Sequence, residues 1–96
     1  MKIHSLVVTQ THINKGIPND SKQCPVTLAL WEYFGDRYKE IETLAEKVYL
    51  YKNNGRQLAV FKPNYDLKTF ITDFDAGKKV RPRTFRLELE LKDEDL

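Results

Sequence analysis

Two neighbouring stretches of this chain differ in the period of their apolar residues, and that change of period restricts the fold more than any other feature. Leu67, Phe70, Ile71 and Phe74 fall at i, i+3, i+4 and i+7, the spacing of one face of a helix. Immediately downstream, Phe85, Leu87, Leu89 and Leu91 alternate with Thr84, Arg86, Glu88 and Glu90, the spacing of a strand with one buried and one wet face. A helix with an apolar stripe followed by a half-buried strand predicts helix packed on sheet. Gly77 stops the helix between them.

The rest of the chain extends the same pattern. Lys2 to Gln10 is rich in β-branched residues and reads as a first strand, and the polar stretch from Thr11 to Gln23 reads as the longest loop. Pro25 suits the first position of a helix running through Phe34, with Gly35 as its left-handed cap. In that helix Val26, Ala29, Leu30 and Tyr33 form the expected core stripe, which leaves Leu28 and Trp31 to flank it or to meet a partner. Three short strands are expected about Glu40 to Thr43, Glu46 to Lys52 and Arg56 to Phe61, the last two joined by an Asn53-Asn54-Gly55 hairpin. Asn64 or Asp66 is placed to cap the second helix. Lys92 to Leu96 is expected to fray.

The order is β-α-β(β)β-α-β: an α+β domain with a mainly antiparallel sheet of four or five strands and two helices on one face. Without the middle strand it matches the ferredoxin-like βαββαβ pattern. Ninety-six residues make one domain spanning 1–96, too small for an interdomain cleft. Sixteen basic against fourteen acidic residues give a net charge of +2, too balanced for a general polyanion binder. A single cysteine excludes an intramolecular disulfide and a cysteine-rich metal site, and points to a reducing, cytoplasmic setting. No apolar run reaches the roughly 20 residues that span a bilayer, and the first ten lack signal-peptide features, so no membrane association is expected.

Three sets of residues invite chemistry. Cys24 precedes a helix N-terminus, where dipole and free amides favour a thiolate, and His12 and Asp20 share its loop. The cluster His12, Asp20 and Cys24 is therefore either a thiol-dependent centre or a small buried cysteine, a loop histidine bonded to a carbonyl and a turn-capping aspartate. Neither a metal nor another cofactor is expected, because the spacing lacks the paired ligands of zinc sites and no phosphate loop or nucleophile elbow occurs. Lys78, Lys79, Arg81, Arg83 and Arg86 crowd into nine residues without an acid, and could contact single-stranded nucleic acid or simply balance Glu88, Glu90 and the acidic tail. Leu28, Trp31 and Tyr33, together with the tyrosines of Val48-Tyr49-Leu50-Tyr51, offer an interface to a protein partner or a second copy.

Val8-Thr9, His12-Ile13, Gly16, Asp20, Cys24-Pro25-Val26 and Leu28-Ala29-Leu30, followed by Phe70-Ile71, Phe74-Asp75 and Gly77, carry a resemblance. With its H-I-x-x-G, D-x-x-x-C-P and F-[IV]-x-x-F-D-x-G patterns the chain resembles a family of short uncharacterised proteins of phage and bacterial genomes. The resemblance implies no activity, cofactor or catalytic residue. It implies a setting in which a host-directed binder or a nucleic-acid accessory is expected. The combined expectation is a non-enzymatic interaction protein, with weak single-stranded nucleic-acid binding as the alternative and a thiol-dependent enzyme behind both.

Overall fold

The computed structural model describes residues 2–35, 38–44, 48–51, 57–61 and 65–91. The expected hairpin at Asn53-Asn54-Gly55, the cap at Asn64 and the tail Lys92 to Leu96 lie outside them. The chain is α+β, with elements in the order β1 (Lys2–Val8), α1 (Gln10–Lys15), α2 (Pro25–Phe34), β2 (Glu40–Thr43), β3 (Val48–Tyr51), β4 (Gln57–Phe61), α3 (Tyr65–Asp75) and β5 (Arg83–Leu91).

The strands form one sheet in the order β1-β5-β4-β3-β2, and each neighbouring pair is antiparallel. The first strand pairs with the last over its whole length, from Lys2 opposite Leu89 to Val8 opposite Arg83. The ferredoxin-like expectation is corrected by this order. A split βαβ unit inserts one strand between its two parallel strands. Here β1 and β2 lie at opposite edges with three strands between them.

The helix α2, which connects those edges, packs against both β1 and β2. Its buried residues are Pro25, Val26, Thr27, Ala29, Leu30 and Phe34. Tyr33, expected in the stripe, is 47% exposed, and Phe34 takes the core position, one helical turn beyond Leu30. Helix α3 buries Leu67, Phe70, Ile71 and Phe74, the four residues its spacing marks. Phe70 meets Phe85 of β5 edge to face at 5.3 Å. Leu6, Val8, Ile41, Val48, Leu50, Phe85 and Leu87 supply the sheet's side of the same core.

The second correction concerns the long loop, and with it the expectation of two helices. Residues Gln10–Lys15 form α1, a third helix, because Thr9 and His12 make a capping box in which histidine stands where glutamate or glutamine usually does. This short helix packs on α2, and Ile13 and Trp31 settle half-buried against the core. The apolar surplus of α2 is thus divided between the sheet and α1. At the far end, α3 closes as a Schellman motif: Gly77 at φ +80 lets its own N–H reach Phe74 C=O and the Lys78 N–H reach Asp73 C=O.

Candidate functional site

Cys24 is the N-cap of α2, with its Sγ accepting from the Thr27 N–H at 3.5 Å, and it is 3% exposed. Thr27 Oγ1 lies 2.7 Å from Ser21 C=O, 2.6 Å from Thr43 Oγ1 and 3.3 Å from Cys24 Sγ. A hydroxyl has one hydrogen and two lone pairs, and a carbonyl can only accept. Thr27 therefore donates to Ser21 C=O and accepts from Thr43 O–H and Cys24 S–H. All three buried side chains are satisfied when the cysteine is a protonated thiol.

His12 is engaged elsewhere. The Thr9 N–H donates to its Nδ1 at 3.0 Å, so that nitrogen carries no hydrogen and Nε2–H donates to Glu32 Oε2 at 2.7 Å. The ring is buried while Glu32 is exposed, so this contact fastens α1 to α2 with an open carboxylate at its rim. Asp20 shapes the turn: its Oδ1 accepts from the Lys22 N–H at 3.0 Å and its C=O from the Gln23 N–H at 3.2 Å. Asn19, at φ +61, ties the same turn to α3 by donating its N–H to Asp75 Oδ1 at 2.8 Å. Asp20 and Cys24 share a cleft of about 190 Å³ with Thr43 and Asp75, and His12 does not line it. The structure thus gives no direct bond among His12, Asp20 and Cys24, and each holds a structural hydrogen bond of its own. Among the described residues no group of three or more His, Cys, Asp or Glu is placed to hold a metal ion.

Two residues of the basic run stand beside carboxylates. Lys78 stands 3.8 Å from Asp73, and Arg83 is 3.5 Å from Asp66 while its guanidinium lies 5.0 Å from the Phe85 ring centroid. Val80 packs half-buried against the core and pins the segment between them. Lys79, Arg81 and Arg86 are exposed, and Arg86 lies on the strand rather than in the loop.

The tyrosines behave differently. On β3, Val48 and Leu50 are buried under the helices, and Tyr49 and Tyr51 are half-buried on the opposite side. Their rings stack, centroids 6.4 Å apart at 26°. In register, Glu42 stands opposite Tyr49 and Glu40 opposite Tyr51. Burial and the negative field of Glu42 push the Tyr51 hydroxyl above its ordinary value of 10.0. Lys22 bonds Glu40 at 2.8 Å, and the Ser21 hydroxyl donates to Glu42 at 3.2 Å. Ser5, Val7, Thr84 and Arg86 are exposed on the strands at the other end of the sheet. Leu28 and Trp31 are half-buried, so of the helix residues marked as an interface only Tyr33 is largely exposed.

The sequence reading missed Thr9, Glu32, Thr27 and Thr43. Thr9-x-x-His12 was available as a capping signal. The contacts of Glu32 with His12 and of Thr43 with Thr27 span 20 and 16 residues and leave no local trace. Among the described residues, no helix is long and apolar enough to cross a membrane. No protein-family model, curated protein or solved structure matches the chain.

Proposed function

We propose that this chain is a non-enzymatic binding module that engages a protein partner through the face of its sheet opposite the helices. The observation that carries this reading is the stacked pair of Tyr49 and Tyr51, half-buried on that face and bordered by Glu40 and Glu42. Tyrosine presents a large rigid surface with a polar tip, the side chain most often found at the energetic centre of interfaces. The neighbouring carboxylates favour a partner surface that presents lysine or arginine. The uses found for His12, Asp20 and Cys24 in capping, turn and core bonds support a non-enzymatic role for the loop they share.

The test is cross-linking mass spectrometry on the tagged chain in cell extract, wild type against Tyr49→Ala/Tyr51→Ala, with circular dichroism to verify that the variant stays folded. Cross-links from a partner to β2 and β3, lost in the folded double variant, are the expected result. A partner captured equally by the variant, or linked only through α3, would overturn the reading.

A further inference from the structure

The two edges of the sheet are treated unequally. At one edge, β2 has four residues, two of them glutamates, and the outward N–H of Thr43 is taken by Ser21 C=O at 2.8 Å. Lys22 adds a charge beside it through its bond to Glu40. A short strand with charges and a covered amide is a protected edge. The opposite edge, β1, has seven residues and neither proline nor glycine. Its only strand neighbour is β5, and Ser5, Leu6 and Val7 make no backbone hydrogen bond on their other side among the described residues. Every second residue of an antiparallel edge strand turns its N–H and C=O outward, so this edge presents a row of open donors and acceptors.

The surroundings of β1 fit an added strand. A groove of about 270 Å³ follows the edge between β1 and α2, lined by Ser5, Leu6, Val7, Ala29, Glu32 and Tyr33. Val7 is 55% exposed beside it. The geometry points to a second copy of this chain as the occupant, paired β1 to β1 in antiparallel register about a two-fold axis. Complete overlap of Lys2–Val8 with itself has one register, with Ser5 opposite Ser5 and Ile3 of each copy opposite Val7 of the other. The strand's single charge, Lys2, then faces Val8, so no like charges oppose one another. The isologous contact uses up both β1 edges, and the protected β2 edges stop further addition, which makes the product a closed dimer rather than a fibre. This surface is distinct from the Tyr49 and Tyr51 face, and the continuous sheet it creates leaves that face open on both copies.

The test pairs two variants. In the proposed register Ser5→Cys brings two thiols near disulfide reach across the axis. Thr84→Cys, on exposed β5 next to Val7 in the register, does not. Cys24 is buried and does not compete. Under mild oxidation Ser5→Cys is expected to run as a disulfide-linked dimer on a non-reducing gel while Thr84→Cys stays monomeric. Val7→Lys, which places a charge at an exposed edge position, is expected to weaken the dimer at least ~10-fold in sedimentation analysis. Tyr49→Ala/Tyr51→Ala should leave the dimer intact, which keeps this inference separable from the proposed function. A strict monomer at micromolar concentration, Ser5→Cys linking no faster than Thr84→Cys, or a dimer unaffected by Val7→Lys would each overturn it.

Discussion

Replacing Thr27 by valine keeps the shape of a fully buried side chain and deletes the one oxygen on which two other oxygens and a sulfur converge. Ser21 C=O is not orphaned by the change, because it still accepts from the Thr43 N–H at 2.8 Å. The Thr43 hydroxyl is 3% exposed and loses the acceptor at 2.6 Å. A lost internal hydrogen bond costs about 1 kcal/mol and a buried group left unpaired about 1–3 kcal/mol. Thr27→Val is therefore expected to lower stability by about 2–3 kcal/mol, a fall in Tm of roughly 10–20 °C for a domain of this size. The decisive measurement is a double-mutant cycle in urea, followed by circular dichroism and Trp31 fluorescence together. Once Thr27 is valine, the remaining Thr43 hydroxyl is a liability, so Thr43→Val on that background should cost little. The coupling between the two sites should reach on the order of 1–2 kcal/mol. If Thr27→Val costs less than about 0.5 kcal/mol, or the two substitutions simply add, the hydroxyl network is not what joins α2 to β2.

Four further outcomes follow from other contacts. Gly16→Ala would set a Cβ 2.5 Å from Pro25 Cδ and 2.8 Å from its backbone nitrogen, so a loss of about 1–3 kcal/mol is expected by urea denaturation. Cys24 should be alkylated at neutral pH much more slowly than a free thiol and accelerate with urea; rapid reaction in the folded protein would favour a thiol-dependent role. Tyr51, its hydroxyl raised by burial and by Glu42, favours the protonated form when folded, so that stabilisation is whole below 10.0 and is lost as pH rises through the higher folded value. An ultraviolet titration should show Tyr51 titrating late, and earlier in Glu42→Gln; an unchanged titration in that variant would leave burial alone as the cause. Any oligonucleotide binding by residues 78–86 should rest first on Lys79 and Arg81, with a salt slope no steeper than about −1.5 for a single strand. A steeper slope would mean that Lys78 and Arg83 leave their carboxylates.

What the sequence disclosed was set by the range of the interactions involved. Helix α3 and strand β5 were legible because their burial repeats at the period of the element itself, and every apolar position marked on α3 is buried. Helix α2 was legible at both ends, where Pro25 begins it and Gly35, at φ +65, ends it. Its faces were harder to assign, because a helix that is apolar nearly all round has little moment to orient it, and Phe34 rather than Tyr33 turns out to be buried. Helix α1 was hidden because six residues are too few for a periodic pattern, and it is held by a capping box, the contact with Glu32 and the packing of Ile13 against the core.

The same distinction explains the outcome for the loop motif. His12, Asp20 and Cys24 drew notice because their residue types are those of catalytic groups, yet catalysis needs them oriented toward one another, and here each is oriented toward a backbone amide. Thr9 N–H, Lys22 N–H and Thr27 N–H are the donors left open where a helix or a turn begins. A histidine, an aspartate and a cysteine each satisfy one of them, and so a stretch that reads as chemistry holds α1 on α2 and α2 against the sheet. The consequence reaches the edge strand: α1 begins two residues after β1 ends, so the cap at Thr9 and His12 fixes where β1 stops. His12→Ala should therefore loosen β1 before it loosens α3, seen as faster amide exchange at Leu6 and Val8 than at Phe70. Equal acceleration at all three would mean that the cap acts only through global stability.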